Sequence, residues 1–304
     1  MKGIIIEIKP EKYIVETLEE KNIFSTSTTG NVKRKGKLLV GDYVNIEKNQ
    51  DVYLIDNVYP RKNQLIRPPI ANIDQMFCII SKTYPKPDLL VLDKQLISCE
   101  MYNITPIICI NKSDDVVNIN EEYAYIKDTY SKIGYTVLDI SAKAKNGGLD
   151  GILKRLEGKV SALSGLSGVG KSSIIKKIFG DTVDDEDIEV GVLNDKINRG
   201  KHTTKYVKLY SVQNGYIADT PGFSSLELEV DIEKDSLKDM YIEYRKLNCK
   251  YKDCNHVIED ECKIKEDANC EQKYVDADRY ARYVKLYTEL LEKDRVKYKK
   301  KNKR

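Results

Sequence analysis

The chain has 304 residues, a formal charge of +3 and 33% charged side chains. That length predicts two or three domains, and so small a net charge excludes a broadly basic nucleic-acid coat, leaving such contacts to local patches. Apolar runs no longer than a strand exclude a membrane span, no secretory leader is expected, and seven cysteines, three of them grouped with a histidine, suit a reducing cytoplasm better than a disulfide framework.

Residues 1–67 alternate in short apolar runs: Ile4–Ile8, Tyr13–Glu16, Ile23-Phe24, Leu38–Val40, Tyr43–Ile46 and Val52–Ile55. Gly30, Gly36 and Gly41 punctuate them. Five or six strands in so short a stretch predict a small barrel of the OB type. Lys33-Arg34-Lys35 is placed in a loop between strands, either touching nucleic-acid phosphates or lying as a solvated basic turn.

Residues 68–228 read as alternating strands and helices. Met76–Ile80 is a strand, and Asp88–Tyr102 an amphipathic helix with Leu89, Leu92, Leu96 and Cys99 on one face. The apolar strand Ile104–Ile110 ends in Asn111-Lys112-Ser113-Asp114, at the edge of a parallel sheet where ligands bind. A carboxylate there accepts from guanine N1–H and N2–H₂. Adenine lacks that donor pair, so Asp114 would select GTP over ATP. Asn111 would tie this loop to a phosphate loop, and the Lys112 stem would cover the base. A helix near Glu121–Lys132 and the strand Tyr135–Asp139 lead to Ser141-Ala142-Lys143, whose backbone N–H groups would meet the guanine O6.

A helix near Leu149–Glu157 and the strand Lys159–Ser164 precede Gly165-Leu166-Ser167-Gly168-Val169-Gly170-Lys171-Ser172-Ser173. This matches G-x-x-x-x-G-K-[ST], in which glycines let the backbone wrap a phosphate and a helix N-terminus faces the anion. Lys171 would reach the β- and γ-phosphates, and Ser172 would bind Mg²⁺. The helix Ser172–Phe179 and the strands Tyr206–Val212 and Tyr216–Asp219 follow. Between them lies Arg199-Gly-Lys-His-Thr-Thr204, suited to a switch loop in which Thr203 or Thr204 would bind Mg²⁺. Asp219-Thr-Pro-Gly222 would hold Mg²⁺ through water and sense the γ-phosphate by the Gly222 N–H.

The base reader thus precedes the phosphate loop, the reverse of the ordinary order, which predicts a circularly permuted α/β P-loop GTPase domain. Ordinary GTPases often carry Gln after D-x-x-G to orient water. Here Phe223 stands there and cannot do so. His202 is the in-chain candidate for that role; alternatively it touches RNA, or a partner orders the switch.

Residues 229–304 are expected to be mainly helical. Cys249, Cys254, His256 and Cys262 make a four-ligand set for one structural Zn²⁺, with Cys270 as a substitute ligand. Cys78, Cys99 and Cys109 read as core residues. Glu271–Leu291 reads as a helix packing through Tyr280, Tyr283, Val284, Tyr287 and Leu291. The basic tail from Lys293 to Arg304 is either a solvated end or an arm for RNA phosphate.

A barrel, a permuted GTPase core and a Cys-x₄-Cys-x-His-x₅-Cys segment together resemble the RsgA family of circularly permuted GTPases, also called YjeQ or YloQ. The resemblance runs over the whole chain and is carried by Gly165–Ser173, Asn111–Asp114, Gly200–Thr204, Asp219–Phe223 and the four zinc ligands. It implies GTP hydrolysis to GDP and phosphate, stimulated by the 30S subunit during its late maturation. It also implies contact of the barrel and zinc domain with 16S rRNA. A cytoplasmic monomer without membrane contact is expected. A GTP-regulated rRNA-binding scaffold with little turnover is the alternative.

Overall fold

The computed structural model describes residues 1–66, 68–117, 119–145, 147–180, 207–219, 232–270 and 274–301, the side chains of 35, 219 and 297–301 aside. Strands β1 (Lys2–Lys9), β2 (Lys12–Thr17), β3 (Ile23–Thr28), β4 (Tyr43–Asn49) and β5 (Val52–Val58) pair in the order β1-β2-β3-β5-β4. An antiparallel β1–β4 pairing closes the five-stranded barrel. Ile5, Val15, Val44, Ile46 and Ile55 fill it, so the alternation of the sequence is an inside–outside alternation.

Two local expectations fail here. Lys33-Arg34-Lys35 lies in a helix, α1 (Gly30–Lys35), not a loop. Leu38–Val40 is no strand and contributes a single bridge from Val40 to Ile70. The reason is the open end of the barrel: a helical turn drives Val32 into the barrel core beside Leu38 while Lys33 and Arg34 stay exposed. Just beyond, Gly41 has φ +87°, and a Cβ there would lie 2.2 Å from the Ala71 carbonyl oxygen. Only glycine lets the barrel and the linker approach that closely. The buried Asp42 accepts from Arg61 Nε at 2.6 Å and Nη2 at 2.7 Å, pinning the outgoing chain.

After a short hairpin of β6 (Gln64–Leu65) and β7 (Ile70–Ala71), the central sheet forms from β8 (Gln75–Ser81), β9 (Thr105–Asn111), β10 (Thr136–Asp139), β11 (Val160–Ser164), β12 (Lys208–Val212) and β13 (Gly215–Asp219). Their order is β10-β9-β8-β11-β13-β12, parallel except for β12. All of β8 is buried. Met76, Cys78 and Ile80 face one core and Phe77 and Ile79 the other, as a sheet covered on both sides requires. Helices α2 (Leu89–Met101) and α3 (Glu122–Ile133) cover the first face, and α4 (Asp150–Leu156) and α5 (Lys171–Phe179) the second. The barrel joins this sheet through the β1–β12 pairing and through Tyr216, whose hydroxyl donates to the buried Glu16 at 2.7 Å. Cys78, Cys99 and Cys109 are all buried, as core residues are.

Helix α2 departs from the one-sided amphipathic pattern. Leu92, Leu96 and Cys99 face the sheet, but Asp93 and Ile97 are buried as well. A third core covers them. It is built from the 3-10 helices Lys234–Met240 and Ile242–Lys246, from α6 (Lys263–Ala268) and from α7 (Ala277–Lys301). Helix α7 starts later than Glu271 because Asp276 accepts from the Arg279 N–H at 2.9 Å and caps it. Tyr283 and Tyr287 lie in that core, with Tyr280, Val284 and Leu291 packed against it. The helix continues through the basic tail to Lys301. No helix among the described residues is long and apolar enough to cross a membrane.

Candidate functional site

Strands β8, β9, β11 and β13 end at one edge of the sheet, at Ser81, Asn111, Ser164 and Asp219. The loop Gly165–Gly170 joins β11 to α5 at this edge. Gly165 has φ +152° and Gly168 +81°; Gly170 has +99°. A Cβ on Gly165 would sit 2.2 Å from the Ile79 carbonyl oxygen, and one on Gly170 would sit 2.4 Å from Asn111 Nδ2. The glycines therefore serve contact as well as backbone angle. Lys171 folds back over the loop, donating to the carbonyls of Gly165 at 2.6 Å and Leu166 at 3.0 Å. Ile174 and Ile175 anchor the helix that starts here. Ser172 lies half-buried in its first turn and Ser173 is exposed.

Asn111 is the knot of the site. Its Nδ2 donates to Val169 O at 2.8 Å, and its Oδ1 accepts from the Ala142 N–H at 3.2 Å. One buried side chain thus ties the phosphate loop, the Asn111–Asp114 loop and the Ser141–Ala142 loop. Ser113 is held through its backbone, its N–H donating to Ile140 O at 3.0 Å. Lys112 adopts φ +64° and donates to Gly168 O at 3.1 Å and to Tyr84 O. Burial, and then the nearby Lys143, lower its pKa. Ser141 Oγ donates to Asp114 Oδ1 at 2.5 Å while accepting from the N–H groups of Lys143 and Ala144. The structure therefore brings together Asn111, Lys112, Ser113, Asp114, Ser141, Ala142 and the loop from Gly165 to Ser173, and ends β13 at Asp219 on the same edge. His202, Thr203, Thr204, Gly222 and Phe223 lie outside the described residues.

Three site-building residues escape local reading. Asn120 Nδ2 donates to Ser81 O at 2.9 Å and Thr83 O at 3.1 Å, fixing the loop after β8. Tyr84 supplies the carbonyl that Lys112 meets. Lys177 reaches from α5 to the loop after β10. Each contact joins segments distant in sequence, so no local motif marks it.

In the C-terminal region the ligand atoms of Cys249, Cys254, His256 and Cys262 all lie within 4.8 Å of one another. His256 Nδ1 is 3.4 Å from the sulfurs of Cys249 and Cys262, and those sulfurs are 3.8 Å apart. A tetrahedral metal with bonds of about 2.0–2.3 Å needs such edges. Burial pushes the Cys254 thiol up to about 12 and the His256 imidazole down to about 4. A bound cation offsets that penalty on clustered thiolates. The surroundings are braced: Tyr280 and Tyr283 donate to the carbonyls of His256 and Asn255, and Glu259 accepts from the Asn255 and Val257 N–H groups. The four residues could hold a metal ion. Cys270 is exposed and donates instead to Glu266 O, outside this group.

A family model described as RsgA GTPase matches residues 58–229, more than half of the chain. The chain belongs to the RsgA GTPase family. It is accordingly a GTP-hydrolysing enzyme. It is 37% identical to the small ribosomal subunit biogenesis GTPase RsgA of Clostridium novyi, over 98% of this chain and all of that protein. The crystal structure of YjeQ from Thermotoga maritima superposes with a TM-score of 0.80 at 31% identity, covering 95% of this chain and 98% of that one. That of YloQ, described as a circularly permuted GTPase, gives 0.78 at 32%, covering 96% and 95%. The motif order and the sheet order therefore belong to a permuted core.

For an RsgA-family GTPase, Gly170→Ala is an informative change. The strained φ and the 2.4 Å approach to Asn111 Nδ2 force the knot apart. The expected result is GDP affinity lowered about tenfold or more, read by titration with a fluorescent GDP. Unchanged affinity would mean that the loop tolerates the added methyl by moving away from Asn111.

Proposed function

We propose that this chain is a ribosome-associated GTPase that hydrolyses GTP to GDP and phosphate, is stimulated by the 30S subunit, and acts in late maturation of that subunit. The observation that carries this reading is the Asn111 knot, which joins a phosphate loop to a base-reading loop in permuted order, in a chain alike over nearly its whole length to a protein named for small-subunit biogenesis. In this reading residues 1–67 form an OB-type domain, 68–228 the permuted GTPase domain and 229–304 the zinc domain. The barrel and zinc domain contact 16S rRNA, and the protein works as a cytoplasmic monomer.

Asp114 reads the guanine N1–H and N2–H₂, and the Ser141-Ala142 backbone reads O6. The N–H groups from Leu166 to Ser173 cradle the phosphates. Lys171 leaves its two loop carbonyls to pair with the β- and γ-phosphates, so its present bonds hold the loop open for the anion. Ser172, Asp219 and either Thr203 or Thr204 would hold Mg²⁺, which neutralises developing charge on the phosphates when bound. Gly222 senses the γ-phosphate, and His202 positions water. Cys249, Cys254, His256 and Cys262 hold one structural Zn²⁺; the all-N/S donor set is of the type that zinc takes.

The test is GTP hydrolysis by the purified protein alone, with 30S subunits and with 50S subunits. Stimulation of tenfold or more by 30S alone is expected. A rate indifferent to 30S would remove the maturation role and leave a GTP-regulated rRNA-binding scaffold.

A further inference from the structure

Lys177 sits on the second turn of α5, the helix whose first turn carries Lys171 and Ser172. Its ammonium does not point to solvent. It donates to the carbonyls of Ser141 at 3.2 Å and Gly147 at 3.0 Å, and to that of Ala144. Three carbonyls converge on one cation because the loop curls: Gly147 and Gly148 take φ +64° and +84°, and the Ser141 N–H closes the ring on Gly148 O at 2.8 Å.

The Ser141 carbonyl belongs to the same peptide group as the Ala142 N–H. A cation on the carbonyl oxygen draws electron density through the amide and makes that N–H a stronger donor. It also fixes the plane of the peptide, hence the direction in which the N–H points. In the structure that N–H donates to Asn111 Oδ1 at 3.2 Å, so Asn111 and Lys177 together set its direction and a purine O6 would compete for the same donor. Lys177 thus acts on the loop that meets the six-position of a purine, from the helix that meets the phosphates.

We propose that Lys177 is a specificity-determining positioning residue. It aims and polarises the Ala142 N–H toward a purine O6 acceptor, so that selection of guanine depends on an ammonium outside the phosphate-loop and Asn111–Asp114 motifs. The proposal rests on the nucleotide reading given above.

The experiment compares the affinity of the full-length protein for GDP and for 2-aminopurine riboside 5′-diphosphate, which keeps the 2-amino group but lacks both O6 and the N1–H that Asp114 would read, so that only the GDP affinity carries the Ala142 contact. The parent, Lys177→Met, Lys177→Gln and Lys177→Arg are measured alike. For Lys177→Met and Lys177→Gln we expect GDP affinity to fall about tenfold and affinity for the analogue to change less than about twofold. The preference for the O6-bearing base therefore shrinks by the same tenfold. Lys177→Arg, which keeps the charge, should recover most of the loss. With GTP as substrate, KM should rise in step with the weakened GDP binding. Equal weakening of both ligands would overturn the proposal, because a merely structural lysine loosens the whole pocket. So would undiminished discrimination in the Met and Gln variants. A parent that does not distinguish the two ligands would instead overturn the base-site reading itself, and the proposal with it.

Discussion

Stripping the metal that Cys249, Cys254, His256 and Cys262 are proposed to hold, or replacing Cys254 by Ser, is expected to unfold the C-terminal region while the sheet-based core still binds GDP. The reason lies in what the four ligands hold. Cys254 and Cys262 are buried in the third core beside Tyr241, Tyr244, Tyr283 and Ile264. Without a cation that core must enclose three thiols and a neutral imidazole; burial raises the pKa of the Cys254 and Cys262 thiols, away from the thiolate that binds metal, and lowers that of His256, away from its charged form. Short 3-10 helices and a six-residue helix surround them, and such elements do not persist by propensity. A structural Zn²⁺ contributes roughly 10 kcal/mol or more to such a segment. The readout is the near-ultraviolet circular dichroism of the tyrosines. The chain has 21 tyrosines and no tryptophan, and Tyr283 meets Tyr241 and Tyr244 edge-to-face with ring centroids 5.0 and 5.1 Å away. Treatment with a zinc chelator under reducing conditions should remove the C-terminal region's share of that signal, leaving that of core tyrosines such as Tyr130 and Tyr216, and added Zn²⁺ should restore it. A tyrosine signal unchanged by complete metal removal would show that the C-terminal core folds without the ion.

Asp93→Ala is expected to lower stability by about 3–5 kcal/mol, by stranding buried charge between the GTPase core and the C-terminal region. Arg279 is 1% exposed. Its Nε donates to Glu243 at 2.6 Å and its Nη1 to Asp93, and Arg282 donates to the second oxygen of Asp93. Tyr130 adds a bond to Asp93 at 2.7 Å. Burial works to lower the pKa of Arg279, but Asp93 and then Glu243 outweigh it and raise it well above the ordinary value. The guanidinium lies over the rings of Tyr241 and Tyr130, at 4.7 and 5.1 Å. Two carboxylates and two guanidinia balance; deleting Asp93 leaves the buried Arg279 with Glu243 alone and takes its carboxylate from the half-buried Arg282. A fall in melting temperature of about 8–15 °C follows for a unit of this size. Arg279→Met should cost a similar amount, and the double variant about 1 kcal/mol or more less than the sum of the singles. Strict additivity would mean that the two residues do not act as a pair.

The sequence by itself determined the position of the Asn111–Asp114 and Gly165–Ser173 loops at strand ends, and the grouping of Cys249, Cys254, His256 and Cys262 that could hold a metal. Each of these is a local statement. Gly165 and Gly170 are spaced for one turn of backbone, Asn111–Asp114 ends an apolar run, and the cysteines crowd one short segment. The continuous apolar run of β8, buried throughout, and the capping Asp88 of α2, which accepts from Leu90 and Val91 N–H, are likewise written in neighbouring residues. The inverted order of the motifs was also legible, because chain order is what a sequence states.

Tertiary structure alone decided the remainder. Whether Lys33-Arg34 lies on a loop or a helix depended on the barrel needing a plug, which Val32 supplies from α1. Asp93 lies off the Leu89, Leu92, Leu96 and Cys99 face that the sequence marks on α2, and only the C-terminal region covers it and gives it Arg279, 186 residues away. Lys177 belongs to no local motif, and only the fold turns three carbonyls of the loop after β10 toward it. In each case the deciding term is a desolvation or a hydrogen bond whose partner is remote along the chain. Local propensity cannot encode such a partner, and only the folded packing supplies it.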